Sequence, residues 1–284
     1  LTIKIFFRNL VYGDLFIAFC AVMMAWETVR VFGQPDGPIL LFIFFSTLCS
    51  YSFHSLVNTI YPAATYRHEW NIKNKPVLIT TFILSSLLVF VYTWKLRNGI
   101  LFIAIGGVAT FLYSAPNIPF KPFIFLRRIA IGKTIFLAGV WTYVTGMMPM
   151  LMSSKGMTAR HYFFLGSRLF LVYAICILFD LKDRTEDRKK GIRALPTVLS
   201  GKSIRFIYYL SLVFSLASSI MMYRSGIDLS VFIFMLVPVL FCIFIYNGAI
   251  KRKDDLFYYV ILDGMMMMSA LLLFVYVFSI TFVS

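Results

Sequence analysis

The chain has 284 residues, of which 60% are hydrophobic and 14% charged, with a net charge of +15 and a mean hydropathy of +0.85. This composition excludes a soluble globular domain and fits a polytopic α-helical membrane protein, since about 20 apolar residues span a bilayer. The basic balance calls for no nucleic-acid partner, because the positive-inside rule accounts for most of it.

Hydropathy, broken by Gly, Pro and charge, predicts nine spans at about 10–32, 39–61, 76–94, 99–115, 129–152, 161–180, 206–223, 229–248 and 256–282. The expected fold is therefore all-α: one polytopic membrane domain over residues 1–284. The first segment carries Asp14 and no small-residue cleavage site, so it reads as a membrane helix rather than a removed leader. With the N-terminus placed in the cytoplasm, most of the 27 Lys and Arg fall on that side. The loops there, between spans 2 and 3, 4 and 5, and 6 and 7, are also the long polar ones, so a site facing water is expected on the cytoplasmic side. The four Cys (Cys20, Cys49, Cys176, Cys242) stand singly in apolar runs and read as packing residues.

In the first span, Glu27 and Arg30 are one turn apart and are expected to pair with each other. At the end of span 2, His54 and Asn58 share a helix face. They contact substrate or a metal-bound water, or else bond neighbouring helices. His68 and His161 are expected in solvated loops. In loop 4–5, Pro116, Pro119 and Pro122 forbid a continuous helix. Lys121, Arg127 and Arg128 there anchor the chain at the interface or bind phosphate, and Lys133 snorkels from span 5 or lines a cavity. Asp263, inside span 9, faces a cavity or bonds a neighbouring helix, the latter being the simpler expectation. Met265 to Met268 read as packing.

The densest ionisable cluster is "FDLKDRTEDRKKGIRALP", residues 179–196. Asp180, Asp183 and Asp187 stand at i, i+3 and i+7, within an arc of about 60 to 80 degrees on a helix. Three carboxylates on one face repel unless a cation neutralises them, and Mg²⁺ with substrate phosphate does so. Arg184 and Arg188 are positioned to bind phosphate beside them. The plainer alternative is a solvated mixed-charge loop.

Asp180-Leu-Lys-Asp183-Arg-Thr-Glu-Asp187 followed by Gly191-Ile-Arg-Ala-Leu195-Pro196, together with nine spans and enlarged loops 2–3 and 6–7, resembles the UbiA superfamily of intramembrane prenyltransferases. The resemblance implies nine helices around a central cavity open to the cytoplasmic side, where two acid-rich loops hold Mg²⁺ and the diphosphate of a prenyl donor. It implies that Asp180, Asp183 and Asp187 are metal ligands. It also implies that the donor's carbocation alkylates an aromatic or other lipid-soluble acceptor. Loop 2–3 departs from the family pattern N-x-x-x-D-x-x-x-D: Asn58 is kept, but Pro62 and Tyr66 stand at the Asp positions. Either cations replace the missing carboxylates, with Arg67 and Lys133 stabilising the leaving diphosphate and Lys75 assisting, or the chain binds isoprenoids without catalysis. A transporter would need polar residues spread along facing helices or Gly/Pro-broken spans in corresponding halves, whereas the spans here are mostly unbroken and the acids cluster at one face of the membrane.

Overall fold

A computed structural model describes residues 8–33, 37–60, 65–114, 132–153, 156–189, 194–252 and 254–283, and every regular element among them is helical. In chain order these are α1 (Leu15–Phe32), α2 (Pro38–Asn58), α3 (Tyr66–Lys73), α4 (Lys75–Lys95) and α5 (Ile100–Ser114). Then follow α6 (Lys133–Leu151), α7 (Ala159–Lys189), α8 (Leu195–Val198), α9 (Gly201–Arg224), α10 (Leu229–Lys251), α11 (Phe257–Met266) and α12 (Met268–Val283). Pro38 and Pro76 begin α2 and α4, where a missing N–H costs nothing.

Among the described residues, seven helices are long and apolar enough to cross a membrane, or eight if α11 and α12 form one crossing bent by 60°. The expected fourth span is the exception. At 15 residues α5 is about 22 Å long, short of a hydrocarbon core of about 30 Å. The outward faces of α4, α5 and α10 present Ile83, Leu87, Phe90, Leu101 and Phe244 with nothing packed over them. A bilayer is the environment that covers such a surface, and the chain is an integral, multi-pass membrane protein.

The central helix is α7, which packs against α6, α9 and α10. Its 31 residues extend about 46 Å, so the turns carrying the acids reach the end of the bundle beyond the apolar segment. Against α9 it forms a seam of small polar residues: Ser167 Oγ lies 2.7 Å from Ser219 Oγ, and Ser215 donates to the Ser167 carbonyl. Such residues let helix backbones approach closely.

An ion pair fixes α7 to α1 deep in the bundle. Arg168 Nη2 donates to Glu27 Oε2 at 2.8 Å, and both side chains are buried. The expected Glu27–Arg30 pairing is therefore corrected: Arg30 is exposed, and the partner of Glu27 is Arg168, inside α7. The arrangement begins with Pro149, whose missing N–H leaves the Thr145 carbonyl without its helical donor. The helix widens into a π turn over Tyr143–Met147. The freed carbonyl accepts from Arg168 Nη1 and from Thr28 Oγ1, each at 2.8 Å. Gly146 completes the approach, since a Cβ there would sit 2.6 Å from Leu165 and 3.4 Å from Arg168 Nη1.

His161, expected in a loop, is instead buried in the first turn of α7 and stacked on Phe32, with Nδ1 bonded to Thr158. Cys20, Cys176 and Cys242 are buried and unpaired, as packing residues are.

Candidate functional site

One cavity of about 810 Å³ runs through the bundle. Asn58 and His54 line its polar end, whereas Phe42, about 24 Å earlier on α2, lies at its apolar depth with Val89 and Ile103. The polar end gathers residues from five helices: His54 and Asn58 of α2, Arg67, His68 and Asn71 of α3, Tyr113 of α5, Lys133 and Thr134 of α6, and Asp180, Asp183 and Asp187 of α7. The spacing of the three acids along α7 places all of them on this one wall. Lys75 and Arg188 are exposed and do not line the cavity, and neither does Arg184, whose buried Nε has no partner among the described residues. Lys121, Pro62 and Gly191 lie outside the described residues.

Local geometry explains how each group is held. Lys133 opens α6, with Nζ 5.4 Å from the centre of the Tyr113 ring, on which His54 also stacks. The next residue, Thr134, donates its hydroxyl to Asp180. The Lys133 end of α6 thus faces the acidic last turns of α7.

Arg67 is differently placed. α3 starts at Thr65, whose side chain accepts from the His68 N–H, and this cap aims Arg67 into the bundle. Its Nη2 donates to Asp14 Oδ1 at 2.5 Å, and its guanidinium lies 4.4 Å over the Tyr259 ring. Burial works against its charge, but the Asp14 carboxylate and Tyr259 outweigh it and raise the pKa above the usual value. Asp14 is fully buried, also accepts from Ser55, and adopts a left-handed conformation with φ of 65°. Asp tolerates that region better than most residues. On the far side, Asp255 accepts from Lys182 Nζ at 2.6 Å and from the Arg67 backbone N–H at 3.4 Å.

Sequence reasoning placed His68 in solvent. It is half-buried, lines the cavity, and its Nε2 has no hydrogen-bond partner among the described residues. Asn71, one turn on, was not singled out. It is 4% exposed, and its Oδ1 is also without a partner among those residues. Its only signal in the sequence is a position four residues after Arg67, on the same helix face. Tyr66 points away at 79% exposed, so the residue at a missing carboxylate position is not a site residue. Asp263 and Tyr259 of α11 line the cavity as well.

No family model and no curated protein matches the sequence. Solved structures do. The apo structure of a UbiA homologue from Aeropyrum pernix K1 superposes with a TM-score of 0.64 at 10% identity, covering 94% of this chain and 97% of that one. The chain has the fold of the UbiA homologues. A UbiA homologue from Archaeoglobus fulgidus, bound to GPP and Mg²⁺, gives a TM-score of 0.63 at 13% identity over 93% and 98% of the two chains. A digeranylgeranylglyceryl phosphate synthase gives 0.57 at 12% identity over 94% and 96%. The fold is thus shared at 10–13% identity.

Proposed function

We propose that this chain is a UbiA-type prenyltransferase, moving an isoprenoid chain from its diphosphate to an aromatic or other lipid-soluble acceptor, with the acid-bearing end of the cavity at the cytoplasmic face. The observation that carries the reading is the polarity of that one cavity. Carboxylates and cations converge at one end, while the rest is mostly apolar with Asp263 and a few hydroxyls such as Ser46 and Thr47 among it, which complements a molecule with a charged head and a long hydrocarbon tail.

Asp180, Asp183 and Asp187 would hold Mg²⁺. Among the described residues no three His, Cys, Asp or Glu converge as a ready-made cage, and hard oxygen donors along one wall suit an ion that keeps waters and takes phosphate oxygens as further ligands. When bound, the ion neutralises charge on the diphosphate and eases its departure. Lys133 supplies a fixed positive charge beside it, and Thr134 orients Asp180. Tyr113 and Tyr259 also line the cavity, with Lys133 and His54 against the first ring and Arg67 and Lys182 against the second.

Replacing Asp183 by Asn is expected to weaken Mg²⁺-dependent binding of geranyl thiodiphosphate at least about tenfold, or about 1.4 kcal/mol. Asp228→Asn, an exposed acid at the start of α10, should change it less than about twofold. Equal effects would mean that the α7 acids are only a solvated face.

A second reading, an isoprenoid-binding protein without catalysis, draws on one observation: Arg67 is committed to Asp14 and Tyr259, and Glu69, the lone acid of α3, is exposed. Diphosphate release decides between the two. Purified protein incubated with Mg²⁺, prenyl diphosphates of short, medium and long chain, and aromatic acceptors should release diphosphate. Binding of all donors with no release in any combination would overturn the catalytic reading.

A further inference from the structure

Asp263 is a carboxylate inside a membrane helix, where an ionisable group is costly unless it serves a partner. It is 7% exposed and lines the cavity together with Tyr51, Trp141, Cys176 and Met266. The simpler expectation, a hydrogen bond to a neighbouring helix, is not met: no described residue bonds to or ion-pairs with its carboxylate. The two cations whose charge reaches it, Arg67 and Lys182, are already held by Asp14 and Asp255.

The helix that carries it is irregular for the same purpose. Phe257–Leu262 form a π turn, a local insertion that recurs at functional sites and turns the following residues relative to a regular helix. Past that turn, Asp263 and Met266 face the cavity along with Tyr259. Tyr51, Trp141 and Cys176 line the cavity beside it, and a carboxylate whose nearby cations are already paired repels a diphosphate, so it serves a different part of the bound molecules.

We infer that Asp263 is the acceptor-recognition residue, taking the hydrogen bond of a hydroxyl on a lipid-soluble acceptor. The inference rests on the prenyltransferase reading for its chemical step. The donor's allylic C–O bond breaks and the diphosphate leaves with the electron pair. The acceptor's hydroxyl oxygen forms the new bond to the allylic carbon, and its proton passes to the Asp263 carboxylate. A site that bonds a hydroxyl rejects analogues lacking it, because the carboxylate would be left buried and unpaired.

The test uses intact protein in detergent and two probes, 1-naphthol and its methyl ether, titrated calorimetrically with partition into empty micelles subtracted. Wild type is expected to bind the naphthol at least about tenfold more tightly than the ether. Asp263→Asn should bring the two within about twofold of each other, and Asp263→Glu should retain part of the preference. Equal binding of the two probes to wild type overturns the inference without any variant, and an unchanged preference in Asp263→Asn overturns it as well. Mg²⁺-dependent binding of geranyl thiodiphosphate is measured in parallel and should be the same in wild type and Asp263→Asn. If wild type binds no thiodiphosphate, the prenyltransferase reading fails, while the naphthol comparison still reports on Asp263 alone.

Discussion

Arg168→Ala is expected to destabilise the protein by about 3 to 5 kcal/mol, the cost of leaving one member of a buried pair behind. The guanidinium bonds Glu27, the Met24 and Thr145 carbonyls and the Thr28 hydroxyl, and it lies 4.4 Å over the Phe164 ring. Its removal strands the Glu27 carboxylate among apolar helices and takes one donor from the Met24 and Thr145 carbonyls, which keep the Thr28 hydroxyl. Thermal or denaturant unfolding in detergent measures the loss. Because native proteins are stable by only about 5 to 15 kcal/mol, this variant should be close to unfolded at growth temperature. Arg168→Met combined with Glu27→Leu should recover much of the loss, since an apolar pair strands no charge. A loss under about 1 kcal/mol for Arg168→Ala would show that the pair contributes little.

Lys133→Ala should lower turnover by about a hundred- to a thousandfold, the usual effect of losing one preorganised group that stabilises developing charge, about 2.7 to 4 kcal/mol. Its ammonium stands at the mouth of α6 between Tyr113 and the acids of α7, with no ion pair to the described residues, so folding should be little changed. Arg67→Ala provides the contrast. Arg67 neutralises the fully buried Asp14, so its loss should lower melting temperature and turnover together. Diphosphate release and thermal melting, run on both variants, separate the two roles. Unchanged turnover in Lys133→Ala would remove this lysine from the reaction.

The acidic wall was legible in the sequence because helical spacing is local. Asp180, Asp183 and Asp187 share a face wherever α7 goes, and Asn58 and His54 follow by the same rule at the end of α2. Arg168 was not legible. Its partner is 141 residues away, and the rotation of α7 relative to α1 is set by packing rather than by either helix alone. The nearest clue is Pro149 four residues after Thr145, which announces a free carbonyl but not the residue that satisfies it. α3 was obscured for another reason. Arg67, His68, Glu69 and Lys73 make it read as a charged loop, whereas the Thr65 cap and the burial of Asn71 turn it into a short helix facing inward. α5, by contrast, was legible: expected at 99–115, it is described as Ile100–Ser114, because the polar Arg97-Asn98 pair marks where the helix begins.

The contacts that hold α3 in place also set an order of assembly during synthesis. Asp14 and Arg67 are 53 residues apart and can meet while the chain is still emerging. The Arg67 backbone N–H and Lys182 must wait for Asp255, which follows them by 188 and 73 residues. Tyr259 and Asp263 reach the cavity wall only with that same last segment. Long-range closures of this kind come late because the ends of the chain must be brought together first. A nascent chain stopped after α10 would therefore sit in the bilayer with its helices inserted and one wall of the cavity missing. The cavity wall is complete only once α11 has been made.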